Sequence, residues 1–185
     1  MNEPKAVREE VLIDKHRKKI ITRYFKDPDG KERDFLLWGG KVVPTIIFPI
    51  TTDKKVIALR MFRRAANESI IEIPGGNPGA EESPLDCALR EIEEETGWIP
   101  KHMIRLGPDI WFDPASCIIP YTPFVALDCK KKQEQELDKT EVAEGMEMNL
   151  IELKEWFKMI YRGEIRDSKT IAITFLALPH LGIKI

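Results

Sequence analysis

Three glutamates, Glu91, Glu94 and Glu95, crowd together in the stretch "EIPGGNPGAEESPLDCALREIEEETGW", which runs from Glu72 to Trp98. On an α-helix, at about 100° per residue, they gather on one face, with Glu94 and Glu95 one turn beyond Glu91. Glu93 points elsewhere and is the solvent-facing member of the run. Like charges at these spacings cost roughly 0.2–0.5 kcal/mol per pair, a penalty that an ordinary solvated acidic face could carry. The preceding "PGGNPG" shifts the balance, because its glycines leave backbone carbonyls and amides unobstructed. A carbonyl added to three clustered carboxylates makes an all-oxygen donor set of the kind Mg²⁺ or Mn²⁺ takes. Calcium is less apt, since the ligand spacing of an EF-hand is absent from the sequence. A cation there would offset the repulsion and bring its own bound water.

The element carrying these acids has clear punctuation. Ser83 is a capping residue, Pro84 suits the first helical position, Asp86 lies in the first turn and Gly97 is a stop. The sequence therefore predicts a helix over 84–96, with Leu85, Ala88, Leu89 and Ile92 as its inward apolar stripe. Around it, β-branched runs at 41–50, 55–62, 69–74, 104–112, 121–129 and 147–153 read as strands. "DPDG" at 27–30 is a hairpin turn between two earlier strands, and the polar segment 130–145 reads as an exposed loop. "LKEWFKMIYRGE" reads as a helix stopped by Gly163, and "SKTIAITFLALPHL" as a closing helix whose β-branched content leaves a strand open. Strands followed by a helix, more strands and then helices give an α/β fold with helices packed on a mixed sheet.

Composition narrows the class further. The 185 residues suit one domain, or one with a small attachment: residues 1–40 as a β-rich N-terminal extension and 41–185 as the main domain. With 43% hydrophobic residues, 32% charged residues and a net charge of −2, a core is available and a nucleic-acid-binding face is not expected. Cys87, Cys117 and Cys129 are odd in number and lack metal-ligand spacing, which reads as reduced thiols. The charged start "MNEPKAVREE" is unlike a signal region, and no apolar run reaches membrane-spanning length, so a cytoplasmic protein without membrane association is expected.

Gly76, Glu82 and the run Arg90-Glu91-Ile92-Glu93-Glu94-Glu95-Thr96-Gly97-Trp98 resemble the Nudix box at every defined position. The flanking strand order also resembles a Nudix domain, which implies an α/β/α sandwich with a mixed sheet. The resemblance implies a divalent-metal-dependent hydrolase of nucleoside diphosphates linked to another moiety. Carried over, it makes Glu91 and Glu95 the principal metal ligands, with Glu94 sharing the site and the Gly75 carbonyl adding an oxygen. Arg90 and Glu82 would pair to orient the helix carboxylates.

Other segments resemble the branch acting on ADP-ribose and sugar nucleotides. In "LRMFRR", Arg63 would reach the substrate phosphates; Pro114 stands where that branch carries proline; and "GEIRDSKT" resembles its run before the final helix. An acid after the polar loop is the base or metal partner there, which here is Glu144, with Glu141 as the alternative. The N-terminal region of such relatives contributes to a homodimer. There are departures: "DPASCIIPYTP" lacks the glycine and acid that follow the proline, and "LWGGKVVPT" lacks the Arg or His before the central strand. Both leave base and sugar open. Trp38, Tyr24 and Phe25 could stack a base, although packing explains each more simply. Two other functions stay in play: hydrolysis of a nucleoside triphosphate or dinucleoside polyphosphate, and a nucleotide-sensing module without turnover, against which the intact glutamates argue.

Overall fold

The structure, a computed structural model, describes residues 4–183; the first three and last two positions of the two expected domains lie outside the described residues. The chain forms two compact units. One comprises the residues up to Val43 together with Ile110–Tyr121, and the other comprises Pro44–Asp109 together with the chain from Thr122 onward.

The first unit contains an antiparallel sheet of β1 (Ala6–Lys15), β2 (Lys18–Lys26) and β3 (Glu32–Gly40). "DPDG" turns the chain between β2 and β3, whereas β1 is an additional strand that the charges interspersed along it conceal in the sequence. Its link to β2 is the two-residue turn His16–Arg17, with both residues at positive φ (51° and 59°). Asn-Gly is the pair that suits such a turn.

In the second unit, β4 (Thr45–Thr51) lies between a later, parallel strand and the antiparallel β5 (Lys55–Arg63). All seven residues of β4 are buried, as expected of a central strand covered on both faces. It starts at Thr45 rather than 41, because Pro44 has no N–H to give a ladder. β6 (Glu68–Glu72) pairs with β5, and β7 (Gly75–Gly76) pairs back onto β4. Helix α1 (Pro84–Thr96) follows, then β8 (Trp98–Ile99) and β9 (His102–Arg105).

The single strand expected over 104–112 is broken in two. Gly107 takes φ +90°, and the turn separates β9 from β10 (Ile110–Trp111), which belongs to the first unit. β11 (Pro120–Lys131) returns to the sheet, and after α2 (Lys139–Ala143) β12 (Glu147–Glu152) closes it along β5, giving the order β11-β4-β5-β12. The chain ends in α3 (Leu153–Tyr161), α4 (Ser168–Ala177) and a short 3₁₀ turn, so the β-branched closing segment is helical.

Neighbouring residues of β4 show how the layers form, because side chains alternate across a strand. Ile47 packs with Ala88 and Ile92 of α1, while Phe48 meets the ring of Trp156 from α3 at 6.4 Å. Helices therefore cover both faces of a mixed sheet, an α/β sandwich within this unit. Among the described residues no helix is long and apolar enough to cross a membrane.

Candidate active site

Helix α1 begins and ends where its caps dictate. The Ser83 hydroxyl oxygen accepts the Asp86 N–H at 3.1 Å, and Gly97, left-handed at φ 75°, donates to the Glu93 carbonyl at 2.7 Å. Its inward face differs from the expected apolar stripe. Leu85 and Leu89 are 44% and 38% exposed, and the buried residues are Cys87, Ala88, Glu91, Ile92, Glu95 and Thr96. Burying a carboxylate without compensation is costly, so turning two leucines outward and two glutamates inward marks this face as built for something other than packing.

Glu95 is 5% exposed, and its Oε2 accepts the Gly75 N–H at 2.9 Å. Burial, with Glu91, Glu141 and Glu72 nearby, pushes its carboxyl well above the ordinary range against that hydrogen bond. Burial also raises Glu91, and Arg90 opposes the rise. The Glu91 carboxylate lies so close over Gly76 that a Cβ there would fall 2.0 Å from its Oε1.

Arg90 organises the outer edge. Its Nε and Nη2 donate to the two oxygens of Glu82 at 2.8 and 2.9 Å, a bidentate pair. Nη1 reaches both Glu91 and Glu94 at 2.9 Å. Arg90, with the Gly79 N–H, holds the Glu82 carboxyl down at about 2. Glu93 turns away to pair with Lys132 at 2.6 Å.

The donor set fits a hard divalent cation in kind. It consists of carboxylate oxygens and glycine backbone, two of the carboxylates are buried, and the glycines leave no room for a Cβ. Among the described residues no three acidic side chains stand ready to hold one ion as placed. Of the groups expected to hold a metal, Arg90 Nη1 engages Glu91 and Glu94 together, and the Gly75 N–H engages Glu95.

The loop acids sit differently from one another. Glu144 caps the end of α2, accepts the Phe62 N–H on its carbonyl at 2.8 Å, and has its carboxylate 2.8 Å from Arg64 and 3.6 Å from Arg63. Arg63 also pairs with the buried Glu72, so this arginine lies between two carboxylates rather than standing free. Burial alone would lower Arg63, but Glu72 and Glu144 more than reverse that and keep it charged. Glu141, raised by burial and neighbouring acids, forms a capping box with Asp138 and bears electrostatically on Glu91 and Glu95. Glu72 and Arg64 were not singled out in the sequence. The signal was a lone acid before "IPGG" and a doubled arginine at the end of a strand.

The polar segment expected to be an exposed loop is largely exposed and is also tied to the helix end. The Glu136 N–H donates to the Glu94 carbonyl at 2.8 Å, Gln135 Nε2 to the Glu95 carbonyl at 2.6 Å, and the Lys132 N–H to the Gly97 carbonyl at 2.9 Å. In the first unit, Phe25 packs edge-on against Phe35 and Tyr24 carries the Arg8 guanidinium on its ring, so both are structural. Trp38 is 45% exposed and donates to the Ser116 hydroxyl at 3.3 Å. Pro114 sits in a turn where Asp113 accepts the Ala115 N–H at 3.0 Å, which turns the acid of "DPAS" inward upon its own loop.

Residues 40–171 match the NUDIX domain, and the chain belongs to the Nudix family. It is 31% identical to the ADP-ribose pyrophosphatase of Bacillus subtilis (strain 168) over 169 residues, 88% of each chain. It is equally 31% identical to the methanol dehydrogenase activator of Bacillus methanolicus, over 96% of this chain and 95% of that one. The crystal structure of an ADP compounds hydrolase superposes with a TM-score of 0.82 over 98% of this chain and 96% of that chain; at 16% identity this likeness concerns the fold.

Proposed function

We propose that this chain hydrolyses the diphosphate bridge of ADP-ribose or a related nucleoside diphosphate sugar, releasing a nucleoside monophosphate and a sugar phosphate. It is a Nudix pyrophosphohydrolase. The observation that carries the reading is the inward turn of Glu91 and Glu95 onto Gly75 and Gly76, at a cost no packing requirement explains. The similarity to ADP-ribose pyrophosphatases supports the substrate class.

Glu91, Glu94, Glu95 and the Gly75 carbonyl would hold a Mg²⁺ or Mn²⁺, which would supply charge neutralisation at the diphosphate and acidify a water. The chain's own groups do the rest. Glu91, Glu94 and Glu95 provide the negative face, and Arg90 with Glu82 fixes their directions. Arg63, at the end of β5, exchanges its 3.6 Å contact with Glu144 for phosphate oxygens, while Arg64 stays on that carboxylate at 2.8 Å. Glu141 is the loop acid whose charge bears on Glu91 and Glu95. We assign it the proton from the attacking water ahead of Glu144, whose carboxylate Arg64 holds at 2.8 Å.

The three unpaired thiols, Cys87, Cys117 and Cys129, support a cytoplasmic setting. The exposed Val7, Val11, Leu12, Ile13, Phe35 and Leu36 of the N-terminal sheet support a homodimer. Similarity to an activator over nearly the whole chain favours a second reading, in which the protein acts on a dehydrogenase.

The test is turnover of ADP-ribose, other sugar nucleotides, a nucleoside triphosphate and a dinucleoside polyphosphate, with and without Mg²⁺. Metal-dependent cleavage of ADP-ribose is expected, with Glu141→Gln lowering kcat by about 10²–10⁴-fold and Glu144→Gln by less. Tight nucleotide binding without turnover in any metal would refute the hydrolase.

A further inference from the structure

The run "GEIRDSKT" ends in a hydrogen-bonded chain that leads back to the acid site. Asp167 caps α4, and its Oδ2 accepts both the Thr170 N–H at 2.9 Å and the Thr170 hydroxyl at 2.8 Å. Lys169 pairs with the other oxygen. An ionised carboxylate can only accept, so the single hydroxyl proton of Thr170 is committed to Asp167. That leaves the lone pairs of Thr170 Oγ1 as acceptors, and they take the Ile73 N–H at 3.2 Å.

Ile73 lies one residue beyond the last paired residue of β6, so its amide has left the sheet ladder and depends on this hydroxyl. Thr170 and Ile73 are 0% and 4% exposed, which leaves no water to replace the bond. Two residues on, the Gly75 N–H holds Glu95 Oε2 at 2.9 Å. Between them, Pro74 has a fixed φ, and its carbonyl is anchored by the Ile47 N–H at 2.9 Å. The link from Ile73 to Gly75 is therefore short and stiff.

We propose that Asp167 and Thr170 are positioning residues for the acid site: Asp167 orients the Thr170 hydroxyl, which sets Ile73 and through it the Gly75 amide that aims Glu95. The inference rests on Gly75 and Glu95 belonging to the hydrolytic site. Thr174 is a matched control. It is equally buried, donates to the Thr170 carbonyl at 2.7 Å and accepts Trp156 Nε1 at 3.0 Å, yet leaves Ile73 untouched.

Amide hydrogen exchange on metal-free protein, read at Ile73 and Gly75, tests the chain directly. Thr170→Val should speed both amides about tenfold, the equivalent of one net hydrogen bond. It should also lower kcat about 10- to 100-fold while KM moves far less. Thr170→Ser should restore both. Thr174→Val should lower the melting temperature while leaving these two amides and kcat as in wild type. Where Thr170→Val does not fold, Asp167→Ala, which removes the acceptor of the Thr170 hydroxyl, should give the same pattern. Unchanged exchange at Ile73 and Gly75, or equal acceleration in Thr174→Val, would overturn the positioning role. Wild-type protein without Mg²⁺-dependent turnover would overturn the proposed function instead, and the exchange rates stay readable either way.

Discussion

Replacing Gly76 by alanine separates the site from the fold. A Cβ there would meet Glu91 Oε1 at 2.0 Å and its Cδ at 2.1 Å, against roughly 3.4 Å for ordinary contact. The carboxylate must retreat by about 1.4 Å, the difference between those two distances. What it meets is the far end of a flexible side chain, so the backbone can stay in place. Misplacing a catalytic group by about 1 Å costs on the order of 10² in rate, or about 2.7 kcal/mol of barrier. Gly76→Ala should therefore melt within a few degrees of wild type and lose about 10²-fold in kcat/KM. Gly75→Ala is the contrast. Its Cβ would strike the Thr45 carbonyl oxygen at 2.4 Å and approach Ile46 Cα at 3.1 Å, both backbone of the buried β4. Overpacking there should destabilise the fold by roughly 1–3 kcal/mol. Steady-state kinetics with saturating Mg²⁺ and thermal unfolding on both variants decide the matter. Wild-type kcat/KM in Gly76→Ala would refute the idea that Glu91 must sit over that glycine.

Two further outcomes concern stability. Asp167 is partly buried, which alone would raise its carboxyl, yet Lys169 and the Thr170 N–H and hydroxyl hold it below the ordinary value of 3.8. Its contribution is therefore complete above the unfolded-state value and lost as pH falls through the lower folded one. Asp167→Asn should flatten the acid side of the urea-midpoint profile, and an unchanged acid slope would contradict this. His16→Asn with Arg17→Gly relieves two non-glycine residues at positive φ and should raise stability by about 1 kcal/mol; a urea midpoint equal to wild type would show that the turn carries no strain.

The helix bearing the acids was legible from end to end because capping is local: Ser83, Pro84 and Gly97 state its limits without tertiary context. The face it presents was not. Hydrophobic periodicity assigned Leu85 and Leu89 to the core, while the fold buries Glu91 and Glu95 instead, and a rule based on apolar burial fails where a site reverses it. Strand limits failed where backbone chemistry overrode side-chain pattern, at Pro44 and at Gly107. The clamp around Arg63 was invisible because it joins Glu72 to Glu144, far apart in sequence, and no local pattern announces such a meeting. The role of the polar segment was hidden for a related reason, since much of its binding uses backbone groups, which every sequence possesses alike.

A helix normally frays from its ends, and Glu94 and Glu95 lie in the final turn, where looseness would be greatest. Residues 132–136 close that terminus by taking up the carbonyls of Glu94, Glu95 and Gly97. The same stretch then runs directly into the helix that carries Glu141. Its length is thus a ruler between two sets of acids, and lengthening it by a single residue should be felt at both, whereas the hairpin tip at "DPDG" has nothing comparable to measure.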